Sequence, residues 1–225
     1  MNKLVTASAL ATLGLAGMAQ ATLTAWQTEV GLGATASSTV FATTSTPVKH
    51  DVGTLSGAQS FEFIVNANLG GVSSALLGDR TSGTGNEQAL KFEQYNNTGN
   101  LGLSAFGVAD WNSGVAAPTG VDTHIVFSTD GVTGTNLYLN GSLVGTTTTV
   151  LDISGLTGLG AVDRGASFQD VMDGDILGFA SYDSELTSGE ILDHYNAFNA
   201  AAVPEPTSTM FIGLGAVCLL FRKRR

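Results

Sequence analysis

The sequence predicts an all-β fold, an antiparallel β-sandwich with one short helix near its C-terminal end. Several short segments alternate apolar and polar residues at period two, the spacing that turns every second side chain to one face of a strand. Stretches rich in Gly, Asn, Ser and Thr separate them, and 29 glycines in 225 residues suit many turns better than long helices. A single late segment combines helical spacing with a helix-start signal.

In chain order, residues 22–49 are expected to supply an opening strand, with Trp26 close to it. Phe61, Phe63 and Val65 share one face of the next strand. Leu90, Phe92 and Gln94 then alternate with Lys91, Glu93 and Tyr95. Gly102 to Val108 is a further apolar run, and His124 to Phe127 reads as a buried strand. From Asn136 to Val144, two alternating runs are joined by Asn140-Gly141, a pair that accepts positive φ at both centres of a type I′ hairpin turn. Asp175 to Tyr182 forms the last strand. Thr187-Ser188-Gly189-Glu190 fits a capping box, and Ile191, Tyr195 and Phe198 follow on one helical stripe. No charge block, proline-rich linker or repeat interrupts Thr22 to Asn199, so residues 22–202 read as one domain with Ala200 to Ala202 as a spacer.

The charges exclude one class of partner. Between residues 22 and 202 only Lys49, Arg80, Lys91 and Arg164 face 18 acidic residues, a net charge of −14. A body this acidic has no basic stripe to neutralise phosphates, so nucleic acid is not expected as a ligand. The single cysteine, Cys218, lies near the C-terminus, and no disulfide can form within the domain.

Both ends read as addresses. Lys3, the apolar run from Leu4 to Met18 and the small-residue site Ala19-Gln20-Ala21 make a secretory signal peptide over residues 1–21; a buried N-terminal helix is the alternative. At the other end, Val203-Pro204-Glu205-Pro206 precedes an apolar stretch from Met210 to Phe221 and a basic tail, Arg222-Lys223-Arg224-Arg225. The uncharged run Thr207 to Phe221 would be roughly 22 Å long as a helix. That is short of the ~30 Å hydrocarbon core, but basic side chains can snorkel to close part of the gap. A membrane helix with a cytoplasmic tail is expected, against the alternative of a core helix. The order of these three parts over residues 203–225 resembles the PEP-CTERM sorting signal. That resemblance implies an exosortase-type membrane protease as partner and transient anchoring in the inner membrane. It further implies cleavage near Pro204 to Pro206 and delivery to the surface or extracellular matrix of a Gram-negative bacterium that makes exopolysaccharide.

The domain has a resemblance of its own. Thr123 to Gly131, followed by Asn136-Leu137-Tyr138-Leu139-Asn140-Gly141, is similar to the central hairpin of laminin-G-like domains. Gly174 to Thr187 with Glu190-Ile191 is similar to their closing strand and helix. The likeness covers roughly residues 50–199 and implies a concanavalin A-like jelly roll. It departs at Asp122-Thr123, where the family often has a Trp.

No catalytic residue is expected. The Glu-x-Asp-x-Glu strand of this superfamily's glucanases is absent, as are a G-x-S-x-G elbow and an HExxH zinc motif. The nearest acid pairs, Asp173/Asp175 and Asp183/Glu185, read as solvated turn acids, and His50, His124 and His194 are isolated in sequence. Asp163, Asp170, Asp173 and Asp175 are a Ca²⁺ candidate, since calcium takes 6–8 oxygen ligands and laminin-G-like domains often carry it at a sandwich rim; solvated loop acids are the alternative. Asp110-Trp111-Asn112, placed in a loop, is the candidate sugar platform, with Trp111 as a core residue the competing reading. A non-enzymatic surface protein that contacts carbohydrate, exopolysaccharide or another surface partner is therefore expected. A purely structural matrix protein and a carbohydrate-active enzyme are the alternatives.

Overall fold

The computed structural model of the chain describes residues 23–31, 38–40, 46–81 and 87–200. The signal peptide and the sorting segment expected at the two ends lie outside the described residues. Strands β1 (Ser38–Val40), β2 (Val48–Asp51), β3 (Gln59–Asn68), β4 (Ser74–Gly78), β5 (Gln88–Glu93), β6 (Asn100–Ala105), β7 (Ala109–Ala116), β8 (Thr123–Thr129), β9 (Thr135–Leu139), β10 (Ser142–Thr147), β11 (Leu156–Leu159), β12 (Val162–Asp163), β13 (Phe168–Gln169) and β14 (Asp173–Tyr182) are joined by helices α1 (residues 23–31) and α2 (Ser188–Asn199). The first sheet runs β1-β14-β3-β8-β9-β10 and the second β2-β11-β4-β5-β6-β7, with β12-β13 as a small ribbon. Pairing within the sheets is antiparallel, as in a jelly roll.

The period-two pattern sets which side chains meet between the sheets. Phe61, Phe63 and Val65 of β3, with Ile125 and Phe127 of β8, face Leu90 and Phe92 of β5 and Leu101 and Leu103 of β6 in the main core. The intervening residues of β3 point the other way. There Ile64 joins Trp26, Val126, Tyr138, Tyr182 and Ile191 in a second cluster on the outer face of the first sheet.

The Asn140-Gly141 hairpin forms as expected. Leu139 and Ser142 are partnered directly across it, and φ is 50° at Asn140 and 76° at Gly141. A side chain at Gly141 would also press on Tyr195 and Leu192 of α2, because the helix packs against this turn. The capping box is present too. Thr187 N–H donates to Glu190 Oε2 at 2.8 Å, and Glu190 N–H donates to Thr187 Oγ1 at 3.3 Å.

Residues 22–49 supply the expected opening strand as β1, but the segment that holds Trp26, residues 23–31, forms a helix that the sequence reading did not anticipate. Leu23, Trp26 and Val30 lie at helical spacing and pack on the first sheet, so burial of that stripe outweighs the weak helix propensity of the surrounding threonines. The Trp26 ring fits because it lies over Gly178 of β14, where any Cβ would stand 2.4 Å from the indole.

Beneath the two helices sits a fully buried carboxylate, Glu62 of β3. Oε1 accepts from Trp26 Nε1 at 2.6 Å and bonds His124 Nε2 at 2.7 Å. Oε2 accepts from the Tyr182 hydroxyl at 2.7 Å and bonds His194 Nδ1 at 2.9 Å. An ionised carboxylate has about four acceptor sites and no donor, so all are filled and both imidazoles donate. Burial alone would raise the pKa of Glu62. The hydrogen bonds and charges of His124 and His194 outweigh burial and hold it far below the ordinary carboxylate range. Burial and the neighbouring Glu62 charge raise Tyr182, which stays a neutral donor.

His194 titrates against the same partner. Burial lowers its pKa, but the hydrogen bond and charge of Glu62, with smaller help from Glu29 and Glu190, leave it raised. A raised folded pKa contributes stability in full below the unfolded value of about 6.5, and that contribution is lost as pH rises through the folded pKa. The melting-temperature advantage of the natural protein over His194→Gln should therefore be larger at pH 6 than at pH 8.5. His50, whose pKa burial lowers, contributes the opposite slope to both proteins and cancels in the difference. A difference independent of pH would mean that His194 is not charged against Glu62.

Candidate functional site

The first sheet's outer face is roofed by α1 and α2, and Glu62, His124, Trp26 and Tyr182 beneath them are shut off from solvent. That cluster of titratable groups is structural, since no substrate can reach it. The second sheet carries its own cover, the segment 160–172, over only part of its outer face. Val162 packs there on Ala75 and Ala89, with Phe106 beside them. Ala75 N–H donates to Asp170 O at 2.8 Å, Arg80 N–H donates to Asp163 O at 2.8 Å, and Lys49 pairs with Asp163 at 3.0 Å.

Between this flap and the β6–β7 turn lies a cleft of about 650 Å³. Its floor is Lys91 of β5, a lysine only 1% exposed, whose ammonium pairs with Asp170 and donates to Ser73 Oγ at 3.0 Å. Burial pushes the Lys91 pKa down, and the hydrogen bond and charge of Asp170 pull it back part of the way. On one wall the Arg80 guanidinium lies 4.6 Å from the centre of the Phe106 ring. Asp110, Gln169 and Tyr95 complete the rim, and Tyr95 is 55% exposed. The cleft thus joins an accessible aromatic face to polar groups already held in place, an arrangement suited to hydroxyl-rich ligands.

A smaller hollow of about 250 Å³ lies beside Asp130, Asn136 and Glu185. Its main acid is already engaged: the backbone N–H groups of Thr133 and Val132 and the Thr133 hydroxyl bond Asp130 and hold its pKa down to about 2.

The structure divides the expected sugar platform. Asp110-Trp111-Asn112 is not a loop but part of β7, an edge strand of the second sheet. Strand alternation turns Asp110 and Asn112 outward and Trp111 inward, where it packs against the main core and lies against Gly145 of β10. Asp110 lines the cleft. Asn112 instead accepts from Asn100 Nδ2 at 3.0 Å and from Gly114 N–H at 2.9 Å. Tyr95, not Trp111, is the exposed ring at the cleft.

The four candidate calcium ligands do not converge. Asp163 is buried against Lys49 and accepts from Gly165 N–H at 2.8 Å, while Asp170 is taken by Lys91. Asp173 and Asp175 belong to β14 in the first sheet, opposite Asn68 and Asn66 of β3. Among the described residues no group of three or more His, Cys, Asp or Glu side chains could hold a metal ion. Closeness in sequence placed the four together, but the chain passes from one sheet's cover to the other sheet between Asp170 and Asp173, and two scarce lysines neutralise the first pair.

Sequence reasoning passed over Arg80, Phe106 and the inward course of Lys91. One signal was present: Lys91 and Tyr95 fall on the same polar face of the alternating segment.

Residues 42–192 match the family model described as the concanavalin A-like lectin/glucanases superfamily, and residues 202–225 match the PEP-CTERM protein-sorting motif. Curated proteins give no match to the chain. Among solved structures, the CBM40 of the Ruminococcus gnavus IT-sialidase bound to alpha2,3 sialyllactose is similar at TM-score 0.55 and 17% identity, covering 70% of this chain and 97% of that one. Domain 4 of AbnA, a GH43 extracellular arabinanase from Geobacillus stearothermophilus in complex with arabinotriose, is similar at TM-score 0.50 and 20% identity, over 63% and 68%. The SAP-like pentraxin of Limulus polyphemus is similar at TM-score 0.53 and 17% identity, over 68% and 79%. At these identities the likeness is one of fold.

The cleft floor is open to a direct test. Asp170→Asn leaves the Lys91 ammonium buried without its counter-charge and should cost about 3 kcal/mol of stability in urea denaturation. Replacing both partners, Lys91→Met with Asp170→Asn, should recover most of that loss. An unchanged stability in the single variant would show that Lys91 is not charged in the folded protein.

Proposed function

Since the chain belongs to the concanavalin A-like lectin/glucanases superfamily and carries a PEP-CTERM protein-sorting motif, we propose that it is an exported, non-catalytic glycan-binding protein of the cell surface or extracellular matrix. The motif implies processing by an exosortase, a membrane protein, with transient anchoring in the membrane. The further reading, that the host is Gram-negative and that the partner is its exopolysaccharide, follows the company such sorting systems keep.

One observation carries the binding reading: the cleft over β5 and β6, where an accessible Tyr95 ring stands beside the fixed Lys91-Asp170-Ser73 network and the Asp110 carboxylate. An exposed ring offers a face for the C–H side of a sugar, and fixed polar groups offer hydroxyl partners without a large ordering cost. The acids of the cleft are poorly suited to hydrolysis, since Asp170 is committed to Lys91. The carbohydrate ligands of the R. gnavus and G. stearothermophilus modules agree with this reading.

A glycan array probed with the full chain, followed by titration of the best binder, tests it. Tyr95→Ala should weaken binding about tenfold, the loss typical of one aromatic anchor, with little change in melting temperature because the ring is exposed. Binding that ignores Tyr95→Ala would move the site elsewhere. Failure of every glycan to bind would favour a purely structural matrix role.

A further inference from the structure

We infer that the cleft selects glycans that carry a carboxylate, with Arg80 as the anchoring cation; this rests on the glycan-binding reading and adds the substrate class. The domain has only four Lys or Arg side chains, and both lysines are already paired with aspartates. Lys91 bonds Asp170 and Ser73, Lys49 bonds Asp163 and the Gly165 carbonyl, and Arg164, which does not line the cleft, donates one terminal N–H to Gln169 at 3.2 Å. Arg80 differs. Its side chain is 40% exposed, and its one ion contact is a long one, Nε to Glu87 Oε2 at 3.8 Å. Among the described residues no acceptor meets either terminal nitrogen, so the two-pronged end of the guanidinium is free at the cleft wall.

That free end is also held in place. Phe106 supports the guanidinium plane from below at 4.6 Å, and the backbone of Arg80 is fixed by its bond to Asp163 O at 2.8 Å. An arginine so supported loses little freedom on binding and presents parallel N–H groups, the geometry that a planar carboxylate accepts in bidentate fashion. Arg80 covers Phe106, which leaves Tyr95 as the ring available for stacking. Asp110 brings a negative acceptor to the cleft, suited to sugar hydroxyls and unfavourable to a second carboxylate. The arrangement fits a uronic-acid unit whose carboxylate meets Arg80 and whose ring and hydroxyls extend toward Tyr95 and Asp110. In a domain of net charge −14, a cation whose charge is not locally neutralised is the favoured place for a carboxylated sugar.

Calorimetric titration of the full chain with fragments of alginate, polygalacturonate and hyaluronan, each beside its carboxyl-reduced form, decides the matter. At least one carboxylated fragment should bind about tenfold or more tightly than its reduced form, the range of a hydrogen bond to a charged group. Arg80→Gln should remove that preference, and Arg80→Lys, which keeps the charge without the planar fork, should restore part of it. Unchanged melting temperatures would establish that both variants are folded. Equal binding of reduced and carboxylated forms, with Tyr95→Ala still weakening both, would overturn the inference and leave the glycan-binding reading standing. Binding of no carboxylated or neutral fragment would overturn both.

Discussion

Glu62 on one outer sheet face and Lys91 on the other are both withdrawn from water, and a buried charge is tolerated only when its partners are already in place. That requirement organises the cover on each side of the sandwich. Glu62 draws donors from α1, β8, β14 and α2, so the two helices that roof the first sheet are tied to one carboxylate. Lys91 draws Asp170 from the flap over the second sheet and thereby fixes where that flap stops. The cleft is the space left beyond it. Breaking either arrangement leaves an uncompensated charge in the interior, at a cost of several kcal/mol, a large fraction of the stability of an ordinary domain.

The two faces are consequently unequal. Helices close the first sheet, and the charge beneath them is inaccessible. The second sheet is covered by a flap whose attachments are mostly polar: Asp170 to Lys91 and to the Ala75 N–H, Asp163 to Lys49 and to the Arg80 N–H. Polar attachment at the edge of a cover leaves polar groups at the surface beside it, and these line the cleft. The cluster between the sheets is apolar, while the accessible polar groups of the cleft stand on one outer face.

What was legible in the sequence is what local spacing controls. Alternation put Phe61, Phe63 and Val65 in the core, Asn140-Gly141 specified the hairpin, and Thr187 with Glu190 marked the start of α2. These signals need only neighbours along the chain. The α1 stripe of Leu23, Trp26 and Val30 was as regular but short, and its burial depends on Gly178, about 150 residues away in sequence. The site was less legible for the same reason. Asp110 and Trp111 are adjacent in sequence, yet strand geometry sends one to the cleft and the other to the core. Four nearby aspartates suggested a metal, but lysines from β2 and β5 reach two of them, and strand β14 removes the others to the opposite sheet. Sequence proximity carries no information about which distant cation arrives.

The proposal is one of place: the glycan sits in the cleft on the outer face of the second sheet. A crystal structure of the full chain with an alginate fragment tests that most directly. The predicted result is sugar density in the cleft, with one ring against Tyr95 and a carboxylate within hydrogen-bond distance of Arg80. Density in the hollow beside Asp130 and Glu185, or along the helical roof of the first sheet with the cleft empty, would contradict the account.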